Sequence, residues 1–185
     1  ARLSNRIAKR LFDIIFSGIF LLFFPLILIP IGIAIKVSSP GPIFFKQKRT
    51  GYRGREFNCY KFRTMKVNSS ADTLQATKDD PRKTRLGDFL RRTSLDELPQ
   101  FINVFIGDMS VVGPRPHMLK HTQEYSSLID KYMVRHYIKP GITGWAQING
   151  YRGQTEELWQ MERRVECDVW YIENWSTLLD IRIII

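Results

Sequence analysis

The sequence predicts an α+β fold that is mainly helical, with an N-terminal re-entrant membrane segment, a small β-hairpin, and interfacial and cytosolic helices. Three observations predict it. Residues 14–35 are almost wholly apolar, residues 43–49 and 56–65 have the pattern of two strands around a glycine-containing turn, and helical periodicity returns in later segments. At 185 residues, the chain is long enough for one domain with a substantial core.

The apolar segment is the first element of the chain. A straight helix over residues 14–35 could span a bilayer, at about 1.5 Å of rise per residue against about 30 Å of hydrocarbon. Pro25 lies at its midpoint and Pro30 follows, so the helix should kink or break. The positive-inside rule keeps both basic flanks cytoplasmic, which favours a re-entrant helix–break–helix, broken at Pro25, over a simple crossing. The flanking cations are Arg2, Arg6, Lys9 and Arg10 before the segment and Lys36, Lys46, Lys48 and Arg49 after it.

The predicted hairpin brings two cations together. Side chains alternate along a strand, so Lys61 and Arg63 share one face of the second strand. Two neighbouring cations can hold a phosphate, and two solvated surface charges are the alternative. Residues 68–82 are polar and typical of a loop, and residues 86–92 then predict a short helix.

Two adjacent carboxylates, Asp96 and Glu97, lie between an arginine pair and an apolar run that predicts a helix. Pro99 suits the first helical position, where its missing N–H costs nothing. The carboxylates would then lie beside unpaired backbone N–H groups at a positive helix end, where phosphates bind well. The alternative is a capping box starting at Ser94, in which Glu97 merely closes a helix start.

The second half of the chain adds two more charged candidates. Arg115 stands between two prolines, and such a rigid arginine is a good bidentate phosphate clamp. Residues 118–137 predict a helix, and residues 139–153 predict a close-packed glycine-rich loop that lacks the common nucleotide-binding patterns.

A final helix is predicted over residues 155–174. Asp168 lies on the edge of the apolar stripe of this helix, and an inward-facing carboxylate needs a cation, a metal or hydrogen bonds. An ordinary salt bridge is the alternative to a functional role. The stripe is Leu158, Met161, Val165, Val169 and Ile172.

Composition limits the partners without choosing among them. The net charge of +10 predicts an anionic partner, which can be nucleic acid, a lipid headgroup or a phosphorylated substrate. The two cysteines, Cys59 and Cys167, indicate neither a zinc site nor a disulfide scaffold. His117 and His121 are four residues apart without a third ligand, so surface histidines are expected.

Taken together, these stretches resemble the bacterial sugar transferases, the monotopic phosphoglycosyl transferases. The resemblance covers nearly the whole chain and is closest to the catalytic domain of the large members, which carry further membrane and soluble regions before it. We therefore expect residues 1–38 to be the membrane hairpin and residues 39–185 to be a cytosolic catalytic domain, both from the C-terminal part of a longer protein. The matching stretches are residues 9–13, 41–47, 60–65, 94–100, 107–116 and 140–150, and Asp168 with Tyr171.

The resemblance implies transfer of a sugar 1-phosphate from a UDP-sugar to polyprenyl phosphate, with release of UMP, at the cytoplasmic face of the bacterial inner membrane. It implies that Asp96 attacks the sugar-linked phosphate and that Glu97 sits with Mg²⁺. The expected partners are the two substrates and membrane lipids, without nucleic acid, and a homo-oligomer is left open. The resemblance also implies that Arg91 and Arg115 hold phosphate groups and that Lys61 and Asp168 match functional family positions. With the strand and loop arguments added, the expected site residues are Lys61, Arg63, Arg91, Arg115 and Arg152 for phosphate groups, and Asp96, Glu97 and Asp168 for the metal.

Two departures from the small members of the family are visible. They have Ser-Pro at the break of the membrane hairpin, whereas this chain has Phe24-Pro25. They place an arginine directly after an Asn-Gly pair, whereas here Tyr151 comes first and Arg152 second. A membrane-anchored nucleic-acid-binding module and a non-catalytic assembly scaffold are the competing interpretations. The first gives no reason for the paired carboxylates, and the second is separated by whether Asp96→Asn loses activity while keeping the fold.

Overall fold

The computed structural model describes residues 3–67, 77, 80–153, 155 and 157–185. The architecture is mainly helical, as expected, and it has two small sheets where the sequence predicted a single hairpin. The helices are α1 (Leu3–Ser38), α2 (Arg85–Arg92), α3 (Gln100–Ile106), α4 (Leu119–Leu128), α5 (Trp145–Ile148), α6 (Leu158–Glu173) and α7 (Thr177–Ile184), and the strands are β1 (Phe44–Thr50), β2 (Glu56–Phe62), β3 (Ser110–Val112) and β4 (Gly141–Thr143).

Helix α1 is assigned as helical along all of its 36 residues, with Pro25 and Pro30 inside it. The predicted break at Pro25 is therefore not confirmed. Both ends of α1 nevertheless contact the same globular part. Near its start, Asp13 accepts hydrogen bonds from the Ser110 hydroxyl and the Val111 N–H, both at 2.9 Å. At its end, Ile35 is buried. Contacts at both ends favour one side of the membrane for both, and the re-entrant topology remains a prediction.

The outward side of α1 is apolar between its charged ends, where Arg6 and Lys36 are exposed. In the described part of the chain, α1 is the one helix long and apolar enough to cross a bilayer, and only 11% of its apolar window is buried inside the protein. A large apolar surface exposed to water would be unfavourable, so this side is suited to lipid. The exposed residues are Ile7, Leu11, Ile14, Ile15, Phe16, Ile19, Leu22, Phe23, Leu26, Ile29, Ile33 and Val37.

The predicted hairpin and the helix after it are confirmed. Strands β1 and β2 pair antiparallel, with Phe45 opposite Lys61. Thr84 caps α2 by accepting a hydrogen bond from the Gly87 N–H at 2.9 Å. Gly87 lies so close to strand-end residue Thr64 that a Cβ would be 1.8 Å from its carbonyl oxygen, so only glycine lets α2 pack there.

The glycine-rich segment forms more regular structure than a loop. Strand β4 pairs parallel with β3, and the short helix α5 follows. At Gly113 a Cβ would lie 2.5 Å from the Lys139 carbonyl oxygen, and at Gly141 it would lie 2.1 Å from the Gly113 nitrogen. The glycines therefore allow two backbones to meet. The sequence prediction missed this pairing because the partners are about thirty residues apart and each strand has three residues.

The helices of the second half differ from prediction at their ends. The predicted helix over residues 118–137 stops at Leu128, and a 3₁₀ segment, Tyr132–Tyr137, follows a turn. Helix α6 starts at Leu158, later than the expected start at residue 155. In the predicted buried stripe, Met161 and Val165 are buried, but Leu158 is exposed. Helix α7 was not predicted.

Three apolar clusters hold these elements together. One lies under β3 and α7, and a second joins α6 to the 3₁₀ segment that follows α4. The third contains Phe24 and Ile35 of α1 together with Phe62 and Leu90. Because Phe24 immediately precedes Pro25, the middle of the membrane segment shares a core with the hairpin and α2.

A labelling experiment tests the topology. In a variant without Cys59 and Cys167, single cysteines at the exposed positions Ser4 and Ser38 should react with a membrane-impermeant thiol reagent from the cytoplasmic side only. The physical reason is that both helix ends pack on one globular part and carry basic flanks. Labelling of the two positions from opposite sides would contradict the re-entrant topology.

Candidate active site

A cavity of about 710 Å³ opens between the hairpin, α2 and the loop after β3. Its described lining contains ten lysines and arginines but only two carboxylates, Asp96 and Glu97, so it is suited to a strongly anionic ligand. All five predicted phosphate-binding residues are among the cations. The cations are Arg49, Lys61, Arg63, Lys66, Arg82, Arg91, Arg92, Arg115, Arg152 and Arg164.

The two carboxylates lie on a 3₁₀ turn, Leu95–Glu97, which immediately precedes α3. Ser94 enters the turn in the left-handed conformation, at φ 60°, and its side chain makes no capping bond. Pro99 is the N-cap of α3, one residue before the predicted position. The capping-box alternative is therefore wrong. Both carboxylates are buried, with 6% of each residue exposed, and both line the cavity.

Glu97 is bound by cations from two other elements. Lys61 of β2 donates to its carboxylate at 2.7 Å, and Arg115 forms a two-pronged interaction, with one bond at 3.1 Å. Burial opposes ionisation of Glu97, but Arg115 and Lys61 hold its pKa well below the usual value. Glu97 is thus a fixed anion that ties the turn to β2 and to the Arg115 loop.

Asp96 is the contrasting neighbour. No donor in the part of the chain that the structure describes forms a hydrogen bond to its carboxylate, although Lys61 and Arg91 are near enough to act on its charge. Burial raises the pKa of Asp96 above its usual value, against the opposing effect of Lys61. An unpaired carboxylate in a cation-lined cavity has its oxygens available for a metal ion or for nucleophilic attack.

The Arg115 loop is supported from behind by a buried cluster. Arg135 donates to the Arg115 carbonyl oxygen at 2.8 Å and forms an ion pair with Asp168 at 2.7 Å. Arg135 also contacts the ring of His117, which accepts or donates a 2.7 Å hydrogen bond with Tyr132. His117 is only 4% exposed, so the prediction of a surface histidine is wrong for this residue.

Asp168 is not placed with the other two predicted metal ligands. It is absent from the described cavity lining, and its carboxylate faces Arg135 with both side chains 2% exposed. Among the described residues, no group of three histidine, cysteine or carboxylate side chains could hold a metal ion. The structure therefore favours the salt-bridge alternative for Asp168, because the charge that its burial requires comes from Arg135.

The other predicted cations differ in how many of their N–H donors are already engaged by the protein. Arg91 donates through Nε to the Thr64 hydroxyl at 2.8 Å, an interaction that the close packing of α2 on Thr64 allows. Arg152 reaches the Ser94 hydroxyl at 2.7 Å and lies 3.8 Å from Glu97. Both keep donors for a ligand.

Arg63 has a different environment. Its guanidinium donates to the hydroxyl and carbonyl oxygens of Ser39 and to the carbonyl oxygens of Pro40 and Pro42. These bonds fasten the chain where it leaves α1. Its phosphate-binding role stays a prediction, and the structure favours a structural role because four of its five N–H donors are already engaged.

Arg135 and Arg164 are among the site residues that were not singled out from the sequence. Arg135 supports the Arg115 loop, and no local pattern around it indicates that contact. Arg164 lines the cavity from α6. Its spacing of four residues before Asp168 places both on one face of a helix, which was the available signal.

The family described as bacterial sugar transferase matches residues 4–185. UDP-glucose:undecaprenyl-phosphate glucose-1-phosphate transferase of Escherichia coli (strain K12) is 54% identical over 181 residues, covering 97% of this chain and 39% of that protein. A relative of the same name from Caulobacter vibrioides is 42% identical, covering 100% of this chain and 69% of that protein.

A third relative has a different donor in its name. UDP-N-acetylgalactosamine-undecaprenyl-phosphate N-acetylgalactosaminephosphotransferase of Aeromonas hydrophila is 40% identical over 178 residues, covering 95% of this chain and 41% of that protein. The chain thus spans about two fifths of the length of the Escherichia coli and Aeromonas relatives.

Replacing Asp168 tests whether it supports the fold. Asp168→Asn should lower the free energy of unfolding by about 3–5 kcal/mol, because it leaves the buried Arg135 cation without its partner. Glu166→Gln is the matched control, since Glu166 pairs with Arg163 on the exposed side of α6 and should change stability by less than about 1 kcal/mol. Urea unfolding of the purified variants measures both. An unchanged stability for Asp168→Asn, together with an altered Mg²⁺ requirement, would instead indicate a metal ligand.

Proposed function

The chain belongs to the bacterial sugar transferase family, and from that premise we propose that it transfers a sugar 1-phosphate from a UDP-sugar to undecaprenyl phosphate, releasing UMP. Glucose 1-phosphate is the favoured group, because the relatives at 54% identity carry glucose in their names. The observation that carries the proposal is the Asp96 carboxylate, which lies beside Glu97, has no hydrogen-bond partner among the described residues and is in a cavity whose described lining has ten cations. The product would begin the assembly of a surface polysaccharide.

The proposed reaction has two displacements at one phosphorus atom. A carboxylate oxygen of Asp96 attacks the sugar-linked phosphorus, and the bond to the bridging oxygen breaks, so UMP leaves with that electron pair. A phosphate oxygen of undecaprenyl phosphate then attacks the same phosphorus. The bond to Asp96 breaks, which gives the lipid diphosphate sugar and restores the carboxylate. Each step forms one P–O bond and breaks one.

The surrounding charges suit this chemistry. An anionic nucleophile and a diphosphate repel each other, so catalysis depends on positive charge fixed around the transferring group. Glu97 holds Lys61 and Arg115 at the site, while Arg91 and Arg152 contribute further donors. Attack requires ionised Asp96. Because burial raises its pKa, the rate should fall as the pH is lowered through that raised value.

The donor set also fits Mg²⁺. This ion usually takes one or two carboxylates together with substrate phosphates and water, rather than a cage of protein ligands. Among the described residues the Asp96 oxygens accept no hydrogen bond, whereas those of Glu97 already accept from Lys61 and Arg115. Asp96 would therefore hold the ion, with its neighbour Glu97 adding negative charge beside it and without Asp168. When bound, Mg²⁺ would neutralise part of the diphosphate charge.

The acceptor explains the membrane segment. A polyprenyl phosphate keeps its chain in the bilayer and presents its phosphate at the headgroup level. The exposed apolar side of α1 would hold the catalytic domain at the cytoplasmic face of the inner membrane, and the shared cluster of Phe24 and Phe62 would fix the distance between them. The nucleic-acid alternative is less favoured, since the cations line a cavity that also contains two buried carboxylates.

Trapping the intermediate tests the proposal. Enzyme incubated with Mg²⁺ and UDP-glucose labelled in the sugar, without lipid, should release about one UMP per active site and retain label on Asp96. A covalent route predicts this because the donor half-reaction needs no acceptor. Asp96→Asn should abolish both events. Intact-protein mass and peptide mapping locate the label.

The outcome that would contradict the covalent route is equally clear. If UMP appeared only after undecaprenyl phosphate was added, and no enzyme-bound label could be trapped, transfer would be direct. Circular dichroism of Asp96→Asn is the control for folding. The substitution should be harmless to the fold, because Asp96 makes no hydrogen bond within the described residues.

A further inference from the structure

Arg164 is a cavity-lining cation whose environment the reaction above does not explain. It lies on α6, and only 7% of the residue is exposed. One Nη donates to the Gly153 carbonyl oxygen at 2.7 Å. Its Nε is buried without a hydrogen-bond partner. Among the residues that the structure describes, the guanidinium makes no ion pair, although buried arginines are normally paired.

The neighbouring carboxylates are already engaged by other cations. Asp168, one turn along α6, pairs with Arg135, and Glu97 pairs with Lys61 and Arg115. Burial lowers the pKa of Arg164 to about 10, and the nearby charges of Arg135 and Arg115 act in the same direction. The charged form of the guanidinium is therefore destabilised by its surroundings, and an anion entering the cavity would offset that destabilisation.

We infer that Arg164 binds a phosphate oxyanion of the substrate, so that its unpaired Nε–H group gains a hydrogen-bond partner only in the complex. The identity of the substrate rests on the proposed function, but the need for an anion rests on the burial and the missing partner. Two sources share this chemistry, the diphosphate of the donor and the phosphate of the acceptor. In either case Arg164, which lines the cavity and has no ion-pair partner among the described residues, contacts the substrate directly.

A merely structural role is the competing explanation. Arg164 holds the Gly153 carbonyl, and the preceding residue, Arg152, reaches Ser94 on the catalytic turn. Loss of Arg164 could therefore disturb the loop that carries Arg152. Such a disturbance would weaken binding of the whole nucleotide, whereas loss of a phosphate contact weakens only ligands that carry the phosphate.

The experiment compares Arg164→Met, which removes the charge, with Arg164→Lys, which keeps it. Arg163→Met is the matched control, because Arg163 is the adjacent residue and pairs with Glu166 on the exposed side of α6. Calorimetry of the full chain in detergent measures the Kd of uridine, UDP and farnesyl phosphate. Thermal unfolding with and without inorganic pyrophosphate provides a readout independent of nucleotide recognition and of activity.

We expect Arg164→Met to raise the Kd for UDP at least about tenfold and to leave the Kd for uridine unchanged. Arg164→Lys should recover part of the lost affinity for UDP. Pyrophosphate should raise the Tm of the wild type and of Arg163→Met, but hardly that of Arg164→Met. Without any anion, Arg164→Met should be at least as stable as the wild type, because a buried charge has been removed. A selective loss for farnesyl phosphate instead of UDP would support the oxyanion contact and assign it to the acceptor.

Two results would overturn the inference. One is equal weakening of uridine and UDP, which indicates loop disturbance. The other is an unchanged response of Arg164→Met to every phosphate ligand. A wild type that is stabilised by pyrophosphate through Arg164 but binds no UDP would leave the inference standing and count against the UDP-sugar donor. Normal binding of both UDP and farnesyl phosphate by all variants, with an unchanged pyrophosphate response, would overturn the inference and leave the UDP-sugar donor standing.

Discussion

The site depends on one buried interaction, in which the carboxylate of Glu97 is held by Lys61 and Arg115. This interaction joins β2, the 3₁₀ turn before α3 and the proline-flanked loop after β3. Since Glu97 takes these two cations, its neighbour Asp96 keeps a carboxylate with no hydrogen-bond partner in the described residues. Two adjacent acids thereby acquire different properties from their environments, one fixed as an anion and the other available to react.

A second layer keeps that interaction in place. Asp168 pairs with Arg135, Arg135 holds the backbone carbonyl of Arg115, and the Arg115 side chain reaches Glu97. Helix α6 thus supports the 3₁₀ turn that carries Asp96 and Glu97, and none of its described carboxylates lines the cavity. The same helix places Arg164 in the cavity lining, so its buried face carries both a supporting acid and a cavity-lining cation.

Local patterns predicted the parts that depend on local structure. The hairpin, α2, the paired acids and Arg115 follow from alternation, caps and prolines, while the family resemblance supplied their roles. The parallel pairing of β3 with β4 was missed because it relies on a close backbone approach at Gly113 and Gly141. Contacts between distant segments were also missed. Arg135 and His117 look like ordinary surface residues in sequence, and only folding shows that they lie behind the Arg115 loop.

A double-mutant cycle between Glu97 and Arg115 tests the central claim most directly. The free energy of unfolding is measured for Glu97→Gln, for Arg115→Met and for the double variant, with Glu166→Gln and Arg163→Met as the exposed counterpart cycle. Contact across a buried ion pair predicts a coupling of at least about 1 kcal/mol for Glu97 and Arg115. Effects that add to within about 0.3–0.5 kcal/mol would show that the two residues are independent, and would contradict this account of the site.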